Sequence, residues 1–180
     1  MSDDERIQPP KELSSLQLLY WQQCYDVVRG GRSRPLPSRT LLMKLLPEWE
    51  ALALKGLPLE VDCSRHSCGD DGAAALFDTL RLAEVPLHIT GVLMPQNDLR
   101  NQAVEALCRL LRSKNGASIT RLDLKYNPFI GIEAAQNLIA ALAPPSGDEE
   151  SDARPSRRSV KVELEGTNVP PHFLRRLSAL

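Results

Sequence analysis

Long apolar runs are missing from this chain of 180 residues. No stretch approaches the roughly 20 consecutive apolar residues that a membrane-spanning helix needs. The first residues, MSDDERIQPPKE, are acidic and polar, whereas a secretory signal begins with basic residues followed by an apolar run. The sequence therefore predicts a protein of the reducing cytoplasm, without a signal peptide, a transmembrane segment or a membrane partner.

Cysteine and net charge are also scarce. Four cysteines are too few and too scattered for a disulfide scaffold, so we expect reduced and mostly buried thiols. The formal net charge of −1 gives no global attraction to nucleic acid. Nucleic-acid binding also needs more basic and aromatic residues on one ordered face than this chain offers, so it is not expected. The length leaves room for one domain with a sizeable core.

What the chain does contain is a repeated pattern. When Asn127 is taken as position zero, apolar residues lie at −8, −5 and −3, and a segment with apolar residues at helical spacing follows. Asn97 has the same pattern, and His66 and Thr167 have it without the −8 residue. Alternation predicts a strand and spacing of three and four predicts a helix, so each unit reads strand, turn, helix.

The four zero positions lie 31, 30 and 40 residues apart. The long last interval contains residues 143–158, which are rich in proline, serine and charge and lack a patterned apolar face. Such a composition cannot offset the entropy of ordering by burial, so we predict a mobile insert. Its basic part either binds phosphate or an acidic partner or is simply solvated.

The segments LDLKYNPFIGIEAAQNLIAAL and CGDDGAAALFDTL carry the pattern most clearly. They resemble leucine-rich repeats of the ribonuclease-inhibitor-like subtype, here in about four repeats. The resemblance implies an α/β fold: a right-handed solenoid with parallel strands on its concave face, helices on its convex face and an N-terminal helical cap. We place the repeats within residues 57–180, at 57–86, 87–116, 117–142 and 159–180.

The residues before the repeats do not follow the pattern. We predict a polar tail at residues 1–12 and a helical cap at 13–56, because a solenoid needs a cover at its open end. One helix is predicted to end at the glycine pair 30–31, and a second to run from an N-cap at Ser38 to about Leu46. After Pro47 the chain either continues that helix or forms a short hairpin. The cap residues that could instead dock a separate partner are Trp21, Tyr25 and Trp49.

Catalytic and metal-binding patterns are weak. Cys63, His66 and Cys68 are of types that bind zinc, but the repeat register makes both cysteines inward core residues and no fourth ligand lies nearby. Asp70 and Asp71 fall at the start of a repeat helix, where capping explains a carboxylate better than acid–base chemistry does. No phosphate-binding or nucleophile motif is present. We therefore expect no enzyme activity, no cofactor and no metal.

The strand face opposite the helices is the predicted binding site. Parallel strands place equal offsets side by side, about 4.8 Å apart, so position −4 forms a row of Asp62, Leu93, Asp123 and Glu163. We expect its carboxylates to attract a basic segment of a protein partner, with Leu93 and Tyr126 as apolar anchors. The alternative is a solvated polar face. The predicted partner-binding residues are Asp62, Arg65, Leu93, Gln96, Arg121, Asp123, Lys125, Tyr126, Lys161 and Glu163.

Two functions follow from this organisation. The first is a non-enzymatic protein-interaction module, a scaffold or adaptor that binds a partner on the concave strand face. The second is a structural subunit of a large cytoskeletal, ciliary or ribonucleoprotein assembly, docked through the helical cap and the 143–158 loop. The apolar C-terminal helix also allows self-association through that end.

Overall fold

The computed structural model describes residues 12–29, 39–143 and 159–180. In these ranges helices and strands alternate after a helical start, in the order α1 (Ser15–Arg29), α2 (Arg39–Leu54), β1 (Leu59–Asp62), α3 (Gly69–Leu82), β2 (Ile89–Leu93), α4 (Asn101–Leu111), β3 (Arg121–Asp123), α5 (Ile132–Leu142), β4 (Lys161–Glu163) and α6 (Pro171–Ser178). The predicted α/β class is confirmed. The tail at residues 1–11, the predicted N-cap Ser38 and most of the insert, residues 144–158, lie outside the described ranges.

The four strands form one parallel sheet in chain order, β1-β2-β3-β4. Parallel neighbours need a long connection, and the described residues of each connection between successive strands contain a helix. The register follows the repeat offsets: Asp62 lies opposite Leu93, Leu93 opposite Asp123, and Asp123 opposite Glu163. Among the described residues, the pairing shifts register at the start of β1, in one of the two units that lack an apolar −8 residue.

The inward strand positions were predicted correctly. All six residues at −5 and −3 in the first three units are fully buried: Val61, Cys63, Val92, Met94, Leu122 and Leu124. In the fourth unit Leu164 is buried but Val162 is only half-buried, because β4 is the last strand of the sheet. Burial of these apolar side chains is the main stabilising contribution of each unit.

The helices cover the face of the sheet that carries these inward residues. Helices α3, α4, α5 and α6 contact one another in sequence, and the apolar residues of α3 and α4 are buried against the strands. Among the described residues, no element covers the opposite face, which carries offsets −6, −4 and −2. That face is the surface on which the predicted site lies.

The N-terminal helices pack at one end of this layer. Helix α1 contacts α2 and α3, and α2 contacts β1 at the edge of the sheet. Pro47 lies inside α2, so the helix continues to Leu54 and the alternative of a hairpin is wrong. Helix α1 begins with a capping box, because Ser14 Oγ accepts the N–H of Gln17 at 3.2 Å and Gln17 Oε1 accepts that of Ser14 at 2.9 Å.

Candidate functional site

Two buried asparagines fix the ends of the central strands. Asn127 Oδ1 accepts the N–H groups of Asn97 at 3.0 Å and Leu99 at 3.1 Å, and its Nδ2 donates to the carbonyls of Met94 and Leu124, each at 2.9 Å. These partners belong to two neighbouring units. The zero residue of this unit therefore bonds backbone groups that would otherwise be unpaired, and it does so across units.

The first and last units close their strands differently. Thr167 Oγ1 donates to the carbonyl of Leu164 at 2.6 Å, within its own unit. The backbone N–H of His66 donates to the carbonyl of Cys63 at 3.2 Å, while the buried His66 Nδ1 has no partner among the described residues. An asparagine amide carries two N–H donors on one atom and a carbonyl acceptor on another, and the bonds of Asn127 to two units use both.

The residue at offset −1, three positions after the last residue of each strand, turns the chain in the same way in all four units. Arg65, Gln96, Tyr126 and Gly166 have φ angles of 57°, 54°, 58° and 74°, in the left-handed region. All four are exposed. Arg65, Gln96 and Tyr126 therefore stand in one row along the rim of the open face, as predicted, and this shared turn holds them there.

The predicted carboxylates lie in one row but differ in accessibility. Asp62 is exposed, whereas the side chain of Asp123 is 8% accessible and that of Glu163 is 19% accessible. Asp123 accepts the backbone N–H of Lys125 at 3.1 Å and lies 3.7 Å from its Nζ. Asp123 therefore serves the local turn as well as the surface.

Basic side chains form ion pairs with the two recessed carboxylates, Asp123 and Glu163. Glu163 is 3.2 Å from Lys161 Nζ and 3.4 Å from Arg121 Nη2. The accessible side-chain fractions are 72% for Lys161, 44% for Arg121 and 30% for Lys125. The β3–β4 half of the face thus presents positive groups outward with their counter-charges beneath them.

Two carboxylates of the row, Asp62 and Glu163, have lowered pKa values. The pKa of Asp62 is held below its usual value chiefly by the hydroxyl of Ser64, which donates at 2.5 Å, with help from the Ser64 N–H at 3.0 Å. His66 and Arg121 add favourable charge. At Glu163 burial raises the pKa, but the hydrogen bond from Lys161 and the nearby cations outweigh it and lower the pKa. Both groups are therefore held as carboxylates.

The apolar part of the face is at its rim. Leu93 is buried within the row and offers little surface, whereas Tyr126 is 47% exposed. Phe129 and Ile132, in the turn and the helix that follow β3, are exposed as well, and the Arg100 guanidinium lies 4.0 Å from the centre of the Phe129 ring. These two residues were not predicted, although one signal for them is in the sequence: Pro128 and Phe129 make the turn after Asn127 one residue longer than the turn after Asn97.

The surroundings of Cys63 and Cys108 make these two thiols poor nucleophiles. All four cysteines lie within the described residues, and each is a buried thiol outside any disulfide. A hydrogen bond with Cys68, together with burial, raises the pKa of Cys63 far above its usual value, and burial raises that of Cys108 to about 11. A thiol that stays protonated neither attacks an electrophile nor binds a metal well.

Asp70 caps a helix, but not the one that contains it. Its Oδ1 accepts the N–H groups of Arg100 at 2.8 Å and Ala103 at 2.9 Å, at the start of α4, whereas α3 has no side-chain cap. Asp70 and Asp71 both lie in the first turn of α3, as expected, but the cap that Asp70 makes is on the next helix, α4. Asn115, which the sequence analysis did not single out, similarly links the C-terminal ends of these helices, since it is buried and donates to the Leu80 carbonyl at 2.9 Å.

The helical cap carries its own exposed apolar residues. Trp49 is buried in the core and Tyr25 is exposed. Leu54 and Leu57, at the end of α2, are also exposed. Between α1 and the end of α3 lies a groove of about 210 Å³, into which Leu18 and Leu82 face.

Comparison of the chain with protein-family models and with curated proteins found no match in either case. Within the described residues, none of the helices has the length and apolar character that crossing a membrane requires.

Proposed function

We propose that this chain is a non-enzymatic protein-interaction module built as a short leucine-rich-repeat solenoid, which binds a protein partner on its open strand face. The proposed architecture is right-handed, with strands on the concave side, helices on the convex side and α1 and α2 as the cap. Unit spacing near 30, the parallel order of strands and the asparagine links between units support it.

The observation that carries the proposal is the uncovered face itself. Four strands in register present rows of charged and polar side chains, with Tyr126 at the rim, on backbone fixed by buried hydrogen bonds. A rigid surface loses little conformational entropy on binding, which favours recognition. Because Asp123 and Glu163 are recessed, a partner would contact mainly the exposed ends of Arg121, Lys125 and Lys161 on this half of the face.

The test is an affinity capture from extracts of the cells that make the protein, read by mass spectrometry. The face variant Glu60→Ala/Arg121→Ala/Lys161→Ala removes three exposed side chains that hold no backbone group. The matched control, Glu105→Ala/Arg112→Ala/Lys114→Ala, removes exposed charges on and just after helix α4. We expect the face variant alone to lose a dominant partner; identical captures from both variants would contradict the proposal.

The second candidate is a fixed subunit of a large cytoskeletal, ciliary or ribonucleoprotein assembly. The exposed Leu54 and Leu57 favour it, because neighbouring apolar side chains at a helix end suit a permanent contact. In the same capture, Leu54→Ser/Leu57→Ser would then lose the set of partners that the face variant retains. The 143–158 loop, the other proposed docking surface, is tested by deleting residues 146–157.

A further inference from the structure

If the strand face binds a protein partner, as proposed above, the charges on that face determine which kind of segment it binds. The decisive feature is the row at offset −6, where Glu60, Gly91, Arg121 and Lys161 lie opposite one another on successive strands. We name these four residues the −6 row. It is asymmetric in charge, with two cations at the β3–β4 end and one carboxylate at the β1 end.

The carboxylate of Glu60 does not stay above its own strand. If Gly91 carried a Cβ, that atom would lie 3.5 Å from Glu60 Oε2 and 3.6 Å from Glu60 Cγ. The Glu60 side chain therefore extends over β2, into the space that the missing side chain of Gly91 leaves. The negative group of the row consequently lies about one and a half strand spacings, roughly 7 Å, from the midpoint between Arg121 and Lys161.

Arg121 and Lys161 can each form a further ion pair or hydrogen bond. Arg121 contacts Glu163 through Nη2 alone, at 3.4 Å, and a guanidinium has five N–H donors. Lys161 contacts Glu163 at 3.2 Å and is 72% accessible. An added carboxylate can therefore bind between these two groups without displacing Glu163.

Other charges near the row limit where that carboxylate can lie. Glu165, at offset −2 of β4, is exposed and would repel it. Asp62 lies on β1 at offset −4 and interacts electrostatically with Arg121. Asp62 is two residues along its strand from Glu60, about 7 Å away, and Glu165 is four residues along the chain from Lys161, about 13 Å away. The favourable place for an acidic group is therefore the row itself.

We propose that the −6 row binds an extended segment of a protein partner that crosses the strands and carries a carboxylate and, two residues further along, a cation. In extended backbone, residues i and i+2 point to the same side and lie about 7 Å apart, which matches the separation of opposite charges in the row. The carboxylate lies between Arg121 and Lys161, and the cation lies on Glu60 above Gly91.

The test uses synthetic ten-residue peptides with a Gly/Ser background. The probe peptide has Glu-Ala-Lys at its centre, a spacing control separates Glu and Lys by five residues, and two further peptides replace Glu or Lys by Gln. Binding to the intact chain is followed by shifts of backbone amide signals in NMR titrations to about 1 mM peptide. We expect the probe to shift amides of β1–β4 and to bind about two- to five-fold more tightly than each control.

Protein variants assign each contact by double-mutant cycles. Glu60→Gln should remove the preference for Lys over Gln in the peptide and leave the preference for Glu intact. Arg121→Gln/Lys161→Gln should do the opposite. These side chains are exposed, so the variants should keep the dispersed spectrum of a folded chain.

The results separate this inference from the proposed function. Failure of the probe to shift the strand amides, or equal binding of the spacing control, overturns the inference even if the face variant loses its partner in the affinity capture. Loss of no partner in that capture contradicts the proposed function. If the probe binds more tightly than both Gln-substituted peptides, the result supports recognition of a carboxylate and a cation by the −6 row.

Discussion

The side-chain oxygen of Asn127 accepts the backbone N–H of Asn97 at 3.0 Å, so the zero residue of one unit fixes the zero residue of the unit before it. Both residues are fully buried. Such a bond is protected from water, and its loss leaves polar groups unpaired in the core. The two residues therefore act as one structural link.

Replacing Asn127 by Ala should destabilise the protein strongly. Two backbone N–H groups and two carbonyls lose buried partners, and leaving such groups unpaired costs about 1–3 kcal/mol each, so we expect a loss of about 3 kcal/mol or more in the free energy of unfolding. Urea denaturation measures it. The exposed Asn168, replaced in the same way, is the control and should change stability little; equal losses would show that the link is unimportant.

Asp70→Ala should destabilise helix α4 from the neighbouring unit. The carboxylate bonds the N–H groups of Arg100 and Ala103, and loss of an N-terminal cap costs about 1 kcal/mol. Asp70→Asn keeps an acceptor and should lose less. Hydrogen exchange of the α4 amides locates the effect: faster exchange in the first turn of α3 alone would contradict the assignment.

Gly166→Ala should destabilise the protein more than Gly56→Ala does. Both glycines have positive φ, which costs a residue with a Cβ about 1 kcal/mol, and the space around Gly56 is open. At Gly166 a Cβ would lie 2.5 Å from Cδ1 of Tyr126. Combining Gly166→Ala with Tyr126→Ala should recover the excess loss, measured by thermal unfolding; additive losses would mean that the ring moves aside freely.

Asp62 should make stability depend on acid pH. Its folded-state pKa lies below the ordinary value of 3.8, so its contribution is fully present above that value and is lost as the pH falls through the lower folded-state pKa. Asp62→Asn should therefore flatten the decline of stability below about pH 4. Ser64→Ala, which removes the strongest hydrogen bond, should flatten it partly. An unchanged decline in both variants would contradict this origin.

The strand phase was predictable because it depends on local alternation: Leu122 and Leu124 must both face the core once the intervening residue faces out. The links made by Asp70 and Asn115 were not, because each joins residues about 30 positions apart that meet only after units stack. The accessibility of Asp123 and Glu163 was missed for a related reason. Alternation places a side chain on a face, but the lengths of neighbouring lysines and arginines decide which charge reaches solvent.

The asparagine links also bear on how such a chain can grow. Asn97 bonds the N–H of Cys68 and the carbonyl of Cys63, and Asn127 bonds the corresponding groups of Leu99 and Met94. Asn97 thus bonds the same two backbone groups of the unit before it that Asn127 bonds in the unit of Asn97. Tandem duplication of residues 97–126 would create a junction whose bonds already exist, and the lengthened chain should unfold in one transition at higher urea concentration.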